Sequence, residues 1–136
     1  MNKNTTILSF LNRQLATILT GWGLSSIVMG ITLFFFIGEF LRAMSIQFLI
    51  WGGVNFIEGI FPLIKSSVPN RKRLYKILLV NSFLAVIYVF VAILLIFEII
   101  FNGETAIGHG FGVLVQGIFL LIFYTYYGLK ILRLKD

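Results

Sequence analysis

Four long apolar stretches dominate this 136-residue chain and constrain its fold more than any other feature. They cover residues 15–37, 43–64, 77–101 and 106–129. Each is longer than the roughly 20 residues that an α-helix needs to cross the hydrocarbon core of a bilayer. Because they are apolar on every side, they do not match the alternating pattern of membrane β-strands. We predict an all-α protein, an integral membrane antiparallel four-helix bundle forming a single transmembrane domain over residues 1–136.

Composition excludes several classes of protein. Apolar residues make up 59% of the chain and charged residues 12%, which is not the composition of a soluble domain. There is no cysteine and a single histidine, which excludes thiol catalysis, cysteine-ligated metals and clusters of histidine ligands. We therefore predict no cofactor and no metal site.

The residues before the first stretch predict a short N-terminal interfacial helix. Residues 4–6, Asn-Thr-Thr, are suited to cap such a helix. Ile7, Leu8 and Leu11 then share one apolar face, which is typical of a helix lying at a membrane surface.

The distribution of basic residues predicts the orientation of the chain. Only Arg42 lies in a connection between the first and second or between the third and fourth stretches. The other ten lysines and arginines lie before the first stretch, between the second and third, or after the fourth: Lys3, Arg13, Lys65, Arg71, Lys72, Arg73, Lys76, Lys130, Arg133 and Lys135. Because cytoplasmic loops collect basic residues, we expect both termini in the cytoplasm.

The same distribution bears on the partners of the chain. The run Arg71-Lys72-Arg73 is expected to contact the anionic headgroups of membrane lipids. Membrane orientation accounts for nearly all of the net charge of +6, so we expect no nucleic-acid partner.

Polar residues inside the apolar stretches are the candidates for a site, because polar side chains are costly in hydrocarbon and turn toward the bundle interior. At 1.5 Å per residue, Asn55, Tyr88 and Gln116 lie near the same depth at the centre of the membrane. Glu58 lies about 7 Å to the cytoplasmic side of that centre by the same count. We predict a midplane polar layer, with Asn55, Glu58, Tyr88 and Gln116 as a candidate polar site.

Glu58 allows two interpretations. An ionised carboxylate at that depth is penalised by several kcal/mol unless it is paired or hydrated, so we expect it to be protonated or open to cytoplasmic water. In the functional interpretation it is a proton- or cation-coupled site. In the structural one it is a neutral carboxyl group that joins helices by hydrogen bonds. The amides of Asn55 and Gln116 have the same structural alternative.

The short turn before the fourth stretch predicts a second pair. It brings Glu98 and His109 to the same level near the outer interface, where we expect a hydrogen bond or an ion pair worth under about 1 kcal/mol. Gly108 and Gly112 form a small-xxx-small pair, which predicts a close helix contact rather than a phosphate-binding loop.

Two short motifs carry a resemblance. Residues 51–55 read WGGVN and residues 108–121 read GHGFGVLVQGIFLL. Both resemble segments of small four-span bacterial integral membrane proteins of unknown function. The resemblance implies a bacterial origin, and hence the cytoplasmic membrane, and supports the four-helix prediction. It marks Asn55 and Gln116 as motif positions and implies no activity.

These observations leave two hypotheses for function. The first is a non-enzymatic binding or assembly protein whose partner is a lipid, another membrane protein or further copies of the chain. The alternative is a small oligomeric proton- or cation-coupled transporter or channel that uses Glu58. An enzyme acting on lipid is disfavoured, because Ser82 and Thr20 have no histidine at their depth to act as a base.

Overall fold

The computed structural model describes residues 3–65 and 70–134. Those residues form an all-α structure without strands, as predicted. All four helices are long and apolar enough to cross a membrane. They are α1 (Lys3–Phe34), α2 (Glu39–Ile64), α3 (Arg71–Ile96) and α4 (Glu104–Leu132).

The predicted short N-terminal helix is not a separate element. α1 runs without a break from Lys3 to Phe34. Leu8, Leu11 and Leu15 are buried in a cluster with residues of α3 and α4, so the apolar face of this segment packs into the bundle. The side chains of Lys3 and Asn4 lie outside the part of the chain that is described, as does Lys135.

α3 ends at Ile96, although its apolar stretch continues for five more residues. The backbone closes there in a Schellman turn, in which the amide of Ile99 donates to the carbonyl of Leu94 at 2.9 Å. Glu98 adopts the left-handed conformation that this turn requires, with a φ of 55°. Its carboxylate accepts a hydrogen bond from the amide of Gly103 at 2.6 Å, which holds the connection to α4.

α1 and α2 form an antiparallel hairpin with very close backbones. A Cβ atom on Gly23 would lie 2.7 Å from the carbonyl oxygen of Gly52, and one on Gly52 would lie 2.9 Å from that of Gly23. Gly59 meets the backbone of Thr20 in the same way. The contact therefore depends on glycine at these positions.

α4 is the central helix of the bundle. Half of its most apolar window is buried, against 22%, 22% and 17% for α1, α2 and α3. Gly108 and Gly112 lie against α2, as their spacing predicts, and Gly110 and Gly117 lie against α3. Glycines on two sides of α4 thus allow both neighbours to approach closely.

Among the described residues, the successive helices α2 and α3 do not pack along each other as the helices of each hairpin do, although the rings of Trp51 and Tyr88 touch near the middle of the bundle. Within the described ranges, α1 packs along α2, α3 packs along α4, and α2 joins α4 across the two hairpins. The gap between α2 and α3 opens at the end of the bundle where α1 and α3 begin and α2 and α4 end. We call this end the basic end.

Arg71 ties the two helices of the second hairpin together at the basic end. Its Nε donates to the carbonyl of Ile131 at 3.2 Å and its guanidinium donates to the carbonyl of Leu132 at 2.9 Å. Carbonyls in the last turn of a helix lack helical donors, so the first residue of α3 satisfies the last turn of α4.

Candidate functional site

Asn55 and Gln116, two members of the predicted polar site, meet at the centre of the bundle. Asn55 Nδ2 donates to Gln116 Oε1 at 3.2 Å, and both side chains are 1% exposed. Two residues of α1 complete the cluster. Trp22 Nε1 donates to the same Gln116 oxygen at 2.8 Å, and Gln116 Nε2 donates to Ser26 Oγ at 3.0 Å. We call Trp22, Ser26, Asn55 and Gln116 the Gln116 network.

The Gln116 network is a structural joint among three helices. An indole N–H can only donate, so its bond to Trp22 fixes which end of the Gln116 amide is the oxygen. The Trp22 ring also stacks on Phe119 with the ring centroids 3.8 Å apart. These contacts favour the structural interpretation of both amides.

Tyr88, the third member of the predicted site, lies against a different cluster. Its ring packs on Trp51, with the ring centroids 4.5 Å apart. Trp51 Nε1 donates to Gln47 Oε1 at 3.1 Å, and Gln47 Nε2 lies 2.8 Å from His109 Nδ1. Because the indole fixes the Gln47 amide, His109 Nδ1 accepts and its proton is on Nε2.

The predicted outer pair of Glu98 and His109 does not form. Glu98 lies in the turn after α3 and accepts from the Gly103 amide, whereas His109 accepts from Gln47 of α2. The two residues were placed at one level by counting, but α3 ends before Glu98 and its carboxylate is held by the local turn.

Glu58, the fourth predicted member, lines a cavity at the basic end. The cavity has a volume of about 660 Å³ and is lined by residues of all four helices. Its polar lining consists of Asn12, Glu58, Lys65, Arg73, Asn81 and Tyr124. Its apolar walls include Leu15, Leu19, Phe61, Leu74, Ile77 and Leu78. We call it the basic-end cavity.

A carboxyl–phenol pair forms the inner end of this cavity. The Tyr124 hydroxyl donates to Glu58 Oε2 at 3.0 Å. Tyr124 is buried, whereas Glu58 is exposed and lines the cavity, so of the two alternatives for this carboxyl, protonated or open to water, its exposure favours the second. Pro62 also lines the cavity and has no N–H to donate to the carbonyl of Glu58, four residues earlier.

Two cationic side chains line the cavity nearer its mouth. Lys65 follows the last residue of α2 and Arg73 lies in the first turn of α3, and both are exposed. Neither side chain has a partner among the described residues. Of the predicted lipid-binding run, Arg73 thus lines the cavity, Lys72 is exposed beside it, and Arg71 is engaged with α4.

Several residues of these clusters were not predicted. Trp22, Ser26 and Tyr124 are positioned by contacts between helices that are distant in sequence. Gln47 shares a helical face with Trp51, Asn55 and Glu58 at spacings of three and four, and that spacing is a signal that identifies it.

The comparison with protein families identifies the chain. Residues 18–124 match a family of unknown function, DUF6992. The chain belongs to this family. The DUF6992 match begins in α1 and ends at Tyr124, so it spans the Gln116 network, His109 and the Glu58–Tyr124 pair. No curated protein and no solved structure matches the chain. The resemblance to proteins of unknown function is confirmed to that extent.

Proposed function

We propose that this DUF6992 protein is a non-enzymatic, multi-pass protein of the bacterial cytoplasmic membrane that binds an anionic lipid in the basic-end cavity. The observation that carries the proposal is the lining of that cavity. Lys65 and Arg73, two cations without partners among the described residues, lie at its mouth above apolar walls. A phosphate headgroup satisfies the cations, and an acyl chain covers the walls.

The shape of the bundle supports a ligand that comes from the bilayer. In the described ranges α2 and α3 do not pack along each other and touch through Trp51 and Tyr88, so at the basic end the cavity lies between them. Phe61 of α2 and Ile77 of α3 line the cavity and are exposed, so an acyl chain can extend past them into the surrounding lipid. Basic pockets between membrane helices on the cytoplasmic side are a known way of binding anionic headgroups.

The orientation in this proposal rests on the basic residues. Ten of the eleven lysines and arginines lie in the sequence segments on the side of the basic end, which supports a cytoplasmic location for that end and for both termini. Reporter fusions after residue 134 and in the 102–103 turn test this orientation, and an external C-terminus contradicts it.

The non-enzymatic part is supported by the positions of the reactive groups. The single histidine, His109, accepts from Gln47 near the start of α4, whereas the Glu58–Tyr124 pair lies far along α2 and α4. The cavity therefore has no histidine base beside a nucleophile among its described residues. Incubation of the purified protein with lipid, followed by product analysis, tests this part, and time-dependent product formation contradicts it.

Removing either cation is expected to weaken binding of anionic lipid. Lys65→Gln and Arg73→Gln each remove an attraction of about 1 kcal/mol, or about fivefold in affinity for phosphatidic acid. The measurement is binding to purified protein in uncharged detergent, by native mass spectrometry or calorimetry. Binding of phosphatidylcholine, which has no net charge, changes less.

The matched control is Lys72→Gln, which removes the same charge from a neighbouring exposed position that does not line the cavity. It is expected to leave the affinity nearly unchanged. Equal losses for all three variants would mean that the charge acts only at long range. Competition by inorganic phosphate distinguishes a phosphate site from a lipid site. Phosphate competes strongly for a site that binds phosphate alone and weakly for a site that also binds the acyl chain.

Cation- or proton-coupled transport is a second candidate, favoured by one observation. Glu58 is exposed to the cavity, and its backbone carbonyl has no helical N–H donor because residue 62 is proline. The site therefore presents oxygen acceptors to an incoming cation. Against it, the Gln116 network lies about one turn nearer the start of α2 than Glu58 and is buried, with Asn55 and Gln116 each 1% exposed.

We expect no pH-driven flux through wild-type protein reconstituted in vesicles, because that buried network separates Glu58 from the opposite end. Glu58→Gln keeps the shape of the side chain and removes its charge, so it is the informative variant. A wild-type flux that is lost in Glu58→Gln would establish transport in place of lipid binding alone.

A further inference from the structure

We infer that the lipid of the basic-end cavity has a single acyl chain and a free hydroxyl on its glycerol, as in a lysophospholipid, and that Glu58 accepts a hydrogen bond from that hydroxyl. The inference rests on the proposed function and specifies its ligand. It follows from the shortage of hydrogen-bond donors to Glu58 at the inner end of the cavity.

Glu58 presents more acceptors than the protein supplies with donors. Among the described residues, the Tyr124 hydroxyl is the donor to this carboxyl group, and it reaches Oε2. The other carboxylate oxygen belongs to an exposed side chain in the cavity. The carbonyl of Glu58 lacks its usual helical donor because residue 62 is proline. A ligand that fits here brings a hydrogen-bond donor.

The donor must lie on the chain side of the phosphate. Lys65 is seven residues beyond Glu58, about 10 Å along the axis of α2, and both residues line the same cavity. A phosphate held by Lys65 and Arg73 at the mouth therefore places the glycerol of the lipid toward Glu58. Headgroup ammonium and hydroxyl groups lie on the opposite side of the phosphate, away from Glu58.

This position selects a class of lipid. In a diacyl phospholipid both remaining glycerol oxygens are esterified, and an ester has no hydrogen to donate. A single-chain lipid keeps one glycerol hydroxyl free, at the position where the second chain would be attached. The absence of the second acyl chain therefore also provides the hydroxyl group that donates the hydrogen bond. A cavity of about 660 Å³ is also in the range of pockets that enclose one small ligand.

The test compares three lipids on the full purified chain in uncharged detergent. Lysophosphatidic acid has one chain and a free hydroxyl, its methyl ether has one chain and no donor, and phosphatidic acid has two chains and no donor. Hydrogen bonds to charged groups are strong, so we expect lysophosphatidic acid to bind wild-type protein about tenfold more tightly than the methyl ether. Soluble glycerol phosphate, which has the donor but no chain, is expected to bind weakly.

Two variants assign the preference to Glu58. Glu58→Gln keeps a neutral acceptor, so the preference for the free hydroxyl is expected to fall to about threefold or less. Tyr124→Phe removes the other half of the pair but leaves the carboxylate free to accept, so the preference is expected to remain about tenfold.

The outcomes separate the two proposals. Equal affinities for lysophosphatidic acid and its methyl ether overturn the inference while leaving anionic lipid binding intact, and so does a preference that survives Glu58→Gln. A preference lost equally in Tyr124→Phe assigns the effect to the shape of the pair and also overturns the inference. Failure of all three lipids to bind overturns the proposed function as well.

Discussion

Gly23→Ala is expected to destabilise the protein by about 1–3 kcal/mol, the usual cost of overpacking. The added methyl group would lie 2.7 Å from the carbonyl oxygen of Gly52 and 2.7 Å from the Cα of Phe56. Both are backbone atoms, which cannot rotate away as the end of a side chain can. α1 and α2 must therefore separate along the contact. The measurement is unfolding of the purified protein in mixed micelles with increasing denaturing detergent.

Gly21→Ala is the matched control on the same helix. A Cβ atom at Gly21 meets nothing within 4 Å. Alanine favours a helix over glycine by up to about 1 kcal/mol, so this variant is expected to be neutral or slightly more stable than wild type. Gly59 and Gly53 form the equivalent pair on α2, the first against the backbone of Thr20 and the second in open space. Equal effects within each pair would contradict the close backbone contact between α1 and α2.

Gln116→Leu is expected to cost about 2–4 kcal/mol of stability. The substitution removes an acceptor shared by two donors and a donor to Ser26. Hydrogen bonds between membrane helices contribute about 0.6 kcal/mol each and up to about 1.7. The buried Asn55 amide is also left without its Gln116 partner, which adds a desolvation penalty. The same unfolding measurement applies.

Asn55→Leu serves as the comparison, because it removes one bond and leaves Gln116 bonded to Trp22 and Ser26. Its expected cost is about 0.6–2 kcal/mol. The double variant is expected to cost less than the sum of the two, since the shared bond can be lost only once. A Gln116→Leu protein as stable as wild type, or a fully additive double variant, contradicts the shared-acceptor arrangement.

The candidate site was predicted in part. Counting residues along each helix placed Asn55 and Gln116 at one depth, and the structure joins them at 3.2 Å. The same counting placed Tyr88 at that depth, yet its ring packs against Trp51 instead. Counting gives the level of a side chain along the axis, but the direction in which it faces its neighbours depends on how the helices are rotated and paired.

The environment of Glu58 was also predicted only in part. Its isolation as an acid within an apolar stretch identified it as a candidate from the sequence. The partner, Tyr124, lies 66 positions away on a helix that packs against α2 only in the folded bundle. The openness of the cavity was equally beyond the sequence, because it depends on α2 and α3 lying apart at the basic end although they touch through Trp51 and Tyr88.

What the sequence determined by itself was the number and type of the elements. Long segments without polar alternation satisfy their backbone hydrogen bonds within the segment, which requires helices, and the polar interruptions separate four of them. The tertiary structure alone decided that α4 is central and that α3 packs on α4 rather than on α2. The physical reason is that pairing depends on steric fit between distant small residues, as where Gly108 and Gly112 admit α2 and Gly110 and Gly117 admit α3. That fit opens the gap between α2 and α3 and so creates the cavity.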